Sequence, residues 1–97
     1  MQGDIVIVSR HSGFIAWLRK KLGDELVDKA TILETATAED IHGKVVFGNL
    51  PLSLAAEARE VWTVDFKSPV RGGQDLTVEE MEAAGAELSG YLVYGLE

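Results

Sequence analysis

Asp4-Ile5-Val6-Ile7-Val8 reads as a first strand built on a β-branched run, closed by the polar turn Ser9-Arg10-His11-Ser12-Gly13. Branching at Cβ suits a pleated strand, and a strand with no alternating polar residue must be covered on both faces. Such a strand belongs inside a parallel sheet, whose strands are joined by crossover segments that are usually helical. The next stretch reads as one. Phe14, Trp17, Leu18 and Leu22 recur at helical spacing, with Arg19, Lys20 and Lys21 near the end, where cations complement the helix dipole. Ser12 is the expected N-cap and Gly23 the expected C-cap.

The alternation continues. Ala30 to Leu33 reads as a second strand, Thr37 to Ile41 as a linking turn, and His42-Gly43 as a tight turn. Lys44 to Phe47 is the third strand. Pro51 or Leu52 opens a second helix running through Ala58, since proline suits the first helical turn. Val61 to Asp65 is the fourth strand, and Phe66 to Leu76 a polar loop. Thr77-Val78-Glu79-Glu80 fits a capping box, which starts a third helix ending near Ala84 or Gly85. Tyr91 to Tyr94 is the last strand. The predicted order is β-α-β-β-α-β-α-β: an α/β, Rossmann-like domain with a mostly parallel five-stranded sheet and helices on both faces. Its 97 residues fit a single domain, 1–97, with a small core.

Composition narrows the function. Without cysteine, a disulfide framework, a thiolate metal site and thiol catalysis are excluded. A net charge of −7 disfavours long nucleic acid, which is held by many cationic contacts to phosphate. It leaves room for a small anion, which needs only a local group of donors. The apolar runs are too short for a membrane span, and no signal peptide is read, so a cytoplasmic location is expected. His11, His42 and the scattered carboxylates show no metal-ligand spacing, and no metal or cofactor is expected. No Gly-x-Gly-x-x-Gly follows the first strand, so the dinucleotide fingerprint is missing.

In open parallel sheets, ligands bind at the C-terminal ends of the strands. Three loops fall there. Arg10 offers a fork of phosphate donors, the following helix N-terminus adds backbone N–H groups, and His11 can donate or move a proton; a solvated turn is the alternative. Gly48-Asn49-Leu50-Pro51 permits close ligand approach and supplies an amide able to read a base or a ribose, although these are also ordinary turn residues. Lys67 and Ser68, followed by Arg71-Gly72-Gly73-Gln74-Asp75, read either as a mobile loop closing over an anion or as a surface loop before a capped helix. Trp17 and Trp62 are assigned to the core, His42 to an exposed turn, and Glu79, Glu80 and Glu82 to a solvated helix face.

These loops also carry a resemblance. Arg10-His11-Ser12-Gly13 followed by Trp17 resembles the Arg-His-x-Gly…Trp opening of the Csx-sixteen family of type III CRISPR loci. Gly48-Asn49-Leu50-Pro51 with Leu54-Ala55-Ala56 resembles its Gly-Thr-Leu-Pro…Leu-Ala-Ala segment. Asp65, Pro69-Val70-Arg71-Gly72, Leu76 and Gly85-Ala86 resemble its later pattern. Asn49 stands in place of threonine, and Gly73-Gln74 in place of glycine and a cation. The resemblance implies a CARF-like fold and a metal-independent ring nuclease that opens cyclic tetra-adenylate and so switches off type III CRISPR signalling. It implies Arg10, His11 and Arg71 as catalytic residues. Ser9, Ser12, Gly13, Gly48, Asn49, Leu50, Pro51, Lys67, Gly72 and Gln74 would line the substrate site. A two-fold ring suits a homodimer. A non-catalytic binder of the same messenger and a protein-interaction module are the competing readings.

Overall fold

The computed structural model describes residues 4–68 and 76–96. Its elements are β1 (Ile5–Val8), α1 (Ser12–Leu22), α2 (Asp24–Lys29), β2 (Thr31–Leu33), α3 (Ala38–Ile41), β3 (Val45–Gly48), α4 (Leu52–Ala55), β4 (Glu60–Asp65), α5 (Val78–Ala83) and β5 (Glu87–Tyr91). The five strands form one sheet in the order β2-β1-β3-β4-β5. β1 pairs in parallel with β2 and β3, and β3 with β4, while β5 closes the edge antiparallel to β4. The mostly parallel five-stranded α/β architecture is as expected.

The β-branched run explains the layering. Successive side chains of a strand point to opposite faces. Ile7 joins Phe14, Trp17, Leu18, Val27, Phe47 and Met81 on the face covered by α1, α2 and α5. Val6 and Val8 join Ile41 and Val46 on the other face, where Leu50, Leu54 and Ala58 pack around α3 and α4. Trp17 is fully buried, stacks on Phe14 with ring centroids 6.5 Å apart, and carries Lys21 Nζ 5.7 Å from its ring centre. Burying a large apolar side chain contributes about 1.5–3 kcal/mol, so this residue anchors α1 to the sheet.

Several elements differ from expectation. His11, not Ser12, is the N-cap of α1; its backbone is extended and Ser12 is already helical. Gly23 does end α1, with φ 95°, but the chain turns straight into α2, where Asp24 and Glu25 occupy the first turn and Val27 is buried. Those acids complement the dipole, and two adjacent apolar residues, Leu26 and Val27, in six leave too little periodicity to see. The linking turn after Thr37 is a helical turn held by a capping box with Asp40. The last strand is not Tyr91 to Tyr94 but Glu87 to Tyr91. Its ladder runs from Asp65↔Glu87 to Val61↔Tyr91, and β4 offers almost no further residue to pair with. Gly90 sits in this strand because Trp62 lies over it: a Cβ there would come within 2.9 Å of the indole ring.

Candidate functional site

The chain leaves β1 for β2 on one side of the sheet and then crosses to β3 on the other. This makes the gap between the C-terminal ends of β1 and β3 the topological switch point, the place where open α/β sheets bind ligands. A cleft of about 240 Å³ opens there, lined by Val8, Ser9, Arg10, His11, Phe14, Glu34, Gly48 and Asn49. A groove of about 460 Å³ near Trp17, Lys21 and Leu88 is larger, but it lies away from these strand ends.

The β1–α1 turn is braced from within. Ser9 Oγ accepts the His11 backbone N–H at 3.0 Å, and the Ser9 hydroxyl faces the His11 carbonyl at 3.4 Å. The Ser9 N–H donates to the Leu33 carbonyl at 2.9 Å, tying the turn to the end of β2. The His11 carbonyl accepts the Phe14 N–H at 3.1 Å and begins α1. Arg10 is thereby held exposed at the tip, and His11 half-buried beside the first turn of α1. The first N–H groups of a helix have no carbonyl one turn back, so Ser12 and Gly13 bring donors to the same place.

Two glycines make the close packing possible. At Gly48 the backbone has φ 141°, and a Cβ would strike the Val8 carbonyl oxygen across the β1–β3 pair. At Gly13 a Cβ would fall on the carbonyl oxygen of Leu76. Leu76 is the first described residue after 69–75, so α1 and the chain leading into α5 meet at the turn that carries Arg10.

The expected residues divide accordingly. Ser9, Arg10, His11, Gly48 and Asn49 line one cleft, with Ser12 and Gly13 in the helix turn beside it. Leu50 packs on the face of Val6 and Val8, and Pro51 is the exposed N-cap of α4. Lys67 follows β4, but its stem passes over Gly85 and its ammonium pairs with Glu87 at 3.0 Å; it does not line the cleft. Arg71, Gly72 and Gln74, with Pro69 and Gly73, lie outside the described residues. Trp17 is core, as expected, and Trp62 is half-buried, stacked on Phe47 with its N–H donated to Glu60 at 2.7 Å. His42 is exposed and its Nδ1 lies 3.1 Å from Glu57.

Against these loops stands one finding from known families. A family model described as "Putative CRISPR-associated protein (Cas_VVA1548)" matches residues 6–94. The chain belongs to this family. The match takes in every residue of the cleft, from Val8 to Asn49, so the site is part of the family domain. No curated protein and no solved structure matches the chain.

The cleft of this family member also holds residues not anticipated from sequence. Val8 and Phe14 give it an apolar floor, and Glu34 gives it a carboxylate. Glu34 directly follows β2, so extending the strand-end rule from the first and third strands to the second would have found it. Among the described residues no group of three or more His, Asp or Glu side chains gathers as a metal ion requires. No helix there is long and apolar enough to cross a membrane.

Proposed function

We propose that this CRISPR-associated protein is a cytoplasmic ring nuclease that binds cyclic tetra-adenylate at the switch-point cleft and opens it without a metal. The observation that carries the reading is the convergence of Arg10, His11, Asn49 and the α1 N-terminus on one cleft. Family membership supports it, since opening a CRISPR messenger is an activity expected within a CRISPR locus. The ribose 2′-hydroxyl attacks the neighbouring phosphorus. The new 2′-O–P bond forms as the P–5′-O bond breaks, giving a 2′,3′-cyclic phosphate, and the proton lost by the 2′-oxygen is balanced by one gained at the 5′-oxygen. The nucleophile is already in the substrate, so the protein has to align it and stabilise charge on the phosphate. Arg10 is assigned to the phosphate and His11 to proton transfer. Arg71 stands five positions before Leu76 in the chain. Its assignment to the same phosphate follows from the resemblance alone.

The test is incubation with cyclic tetra-adenylate in EDTA, followed by chromatography. Linear products ending in a 2′,3′-cyclic phosphate are expected. Retention of an intact ring would make the protein a non-catalytic binder, an outcome in keeping with Asn49 and Gln74 at positions where the resemblance expects other residues. Neither conversion nor retention would leave an interaction module.

A further inference from the structure

Glu34 is the one carboxylate among the described residues lining the cleft, and it is poorly suited to a site for phosphate alone. An ionised carboxylate is acceptor-only and repels an anion beside it. Its place in the fold is well defined. Val8 pairs with Leu33, and the Leu33 carbonyl accepts the Ser9 N–H at 2.9 Å, so Glu34 projects from the backbone next to the Ser9–His11 turn. Phosphate donors and a carboxylate therefore stand on neighbouring strand ends of one cleft. A ligand that satisfies both must carry a phosphate and a hydroxyl or amine donor a few bonds apart. A ribonucleotide does so through its 2′-hydroxyl. In doubly wound folds that bind nucleotides, an acidic residue about 20 positions beyond the first strand–helix turn hydrogen-bonds the ribose. Glu34 has that position relative to Gly13, although the glycine fingerprint is absent.

We infer that Glu34 is a specificity-determining residue that accepts a hydrogen bond from a ribose 2′-hydroxyl and so selects ribonucleotide over deoxyribonucleotide ligands. The inference rests on the nucleotide-binding reading proposed above and adds to it the group that recognises the sugar. The carboxylate then offsets its repulsion of phosphate only when the donor is present, which makes it a discriminating contact rather than a general source of affinity.

The experiment compares dissociation constants for cyclic tetra-adenylate and its fully 2′-deoxy counterpart, on the wild type and on Glu34→Ala and Glu34→Gln. Binding is read within the time over which chromatography shows the ring intact. The wild type is expected to prefer the ribose ring by roughly tenfold, the scale of one hydrogen bond to a charged group. Glu34→Ala should abolish that preference while leaving affinity for the deoxy ring unchanged or raised. Glu34→Gln, which keeps an acceptor oxygen without the charge, should keep part of the preference. Equal loss of affinity for both rings in Glu34→Ala would overturn the inference, because the carboxylate would then be reading the base. Loss of turnover with unchanged binding would also overturn it, by making Glu34 a chemical group. If the wild type binds neither ring, the nucleotide reading itself fails and the inference falls with it.

Discussion

At Gly48 the sheet and the site depend on one missing side chain. Its φ of 141° lies where L-residues are strained, and a Cβ would collide with the Val8 carbonyl oxygen. Gly48→Ala is expected to lower stability by about 1–3 kcal/mol, read as a reduced urea midpoint with an unchanged m value. Chemistry at the same strand ends separates by residue. If Arg10 and Arg71 hold the phosphate as proposed, Arg10→Ala and Arg71→Ala should weaken both the affinity for cyclic tetra-adenylate and its turnover, because such a contact acts in the ground state and the transition state alike. His11→Ala should cut turnover by roughly 10²–10⁴-fold with binding largely retained, the usual size of a general acid–base effect. Single-turnover kinetics beside equilibrium binding would check this. A His11→Ala variant that cleaves at the wild-type rate would confine the imidazole to shaping the turn.

The helices matter to the site through their first turns and their packing. Thr77 accepts the Glu80 N–H at 3.1 Å, and Glu80 accepts the Thr77 N–H at 2.9 Å, so α5 begins at a fixed point directly after Leu76. Thr77→Ala should cost about 1 kcal/mol, measurable by denaturant unfolding. The other end of the α1–α5 contact is ionic. Glu82 lies 3.1 Å from Lys20 and 3.7 Å from Lys21. Its carboxyl is held below its ordinary value, chiefly by the hydrogen bond from Lys20; burial opposes the shift, and the charges of Lys20 and Lys21 add to it in lesser measure. A lowered folded-state pKa stabilises the fold above the ordinary carboxylate range, and that contribution is lost as pH falls through the lowered value. In a side-chain NMR titration, Lys20→Met should move the Glu82 midpoint to higher pH. An unmoved midpoint would remove the ion pair as the cause.

For the whole molecule, the sheet order matters more than any helix. β2-β1-β3-β4-β5 places the switch point between β1 and β3, while β5 lies two strands beyond β3, outside that gap. The described face therefore brings one copy of Arg10 and His11 to the cleft, whereas cyclic tetra-adenylate presents its scissile groups in symmetry-related pairs. A homodimer would set two clefts about the ring. Light scattering at micromolar protein is expected to give twice the chain mass, with and without the ring. Monomer mass in both conditions would count against paired clefts.

Local patterns were enough for much of the architecture. The run Ile5 to Val8 requires burial on both faces whatever surrounds it, and Thr77 to Glu80 caps a helix by contacts within four residues. The stripe of Phe14, Trp17 and Leu18 likewise reveals α1 without reference to the sheet. Position in the chain also pointed to Arg10, His11 and Gly48, because each lies at a strand end. Short elements escaped this logic: α2 and α3 each bury one apolar side chain, and one point has no period. The end of β5 was hidden for another reason. Leu92, Val93 and Tyr94 are as strand-like as Leu88 and Tyr91, and the supply of partners on β4, not propensity, ends the ladder. Strand order was likewise beyond local reading. It alone sets Glu34 beside Arg10 and Asn49, because residues distant in sequence become neighbours only through the pairing of β1 with both β2 and β3.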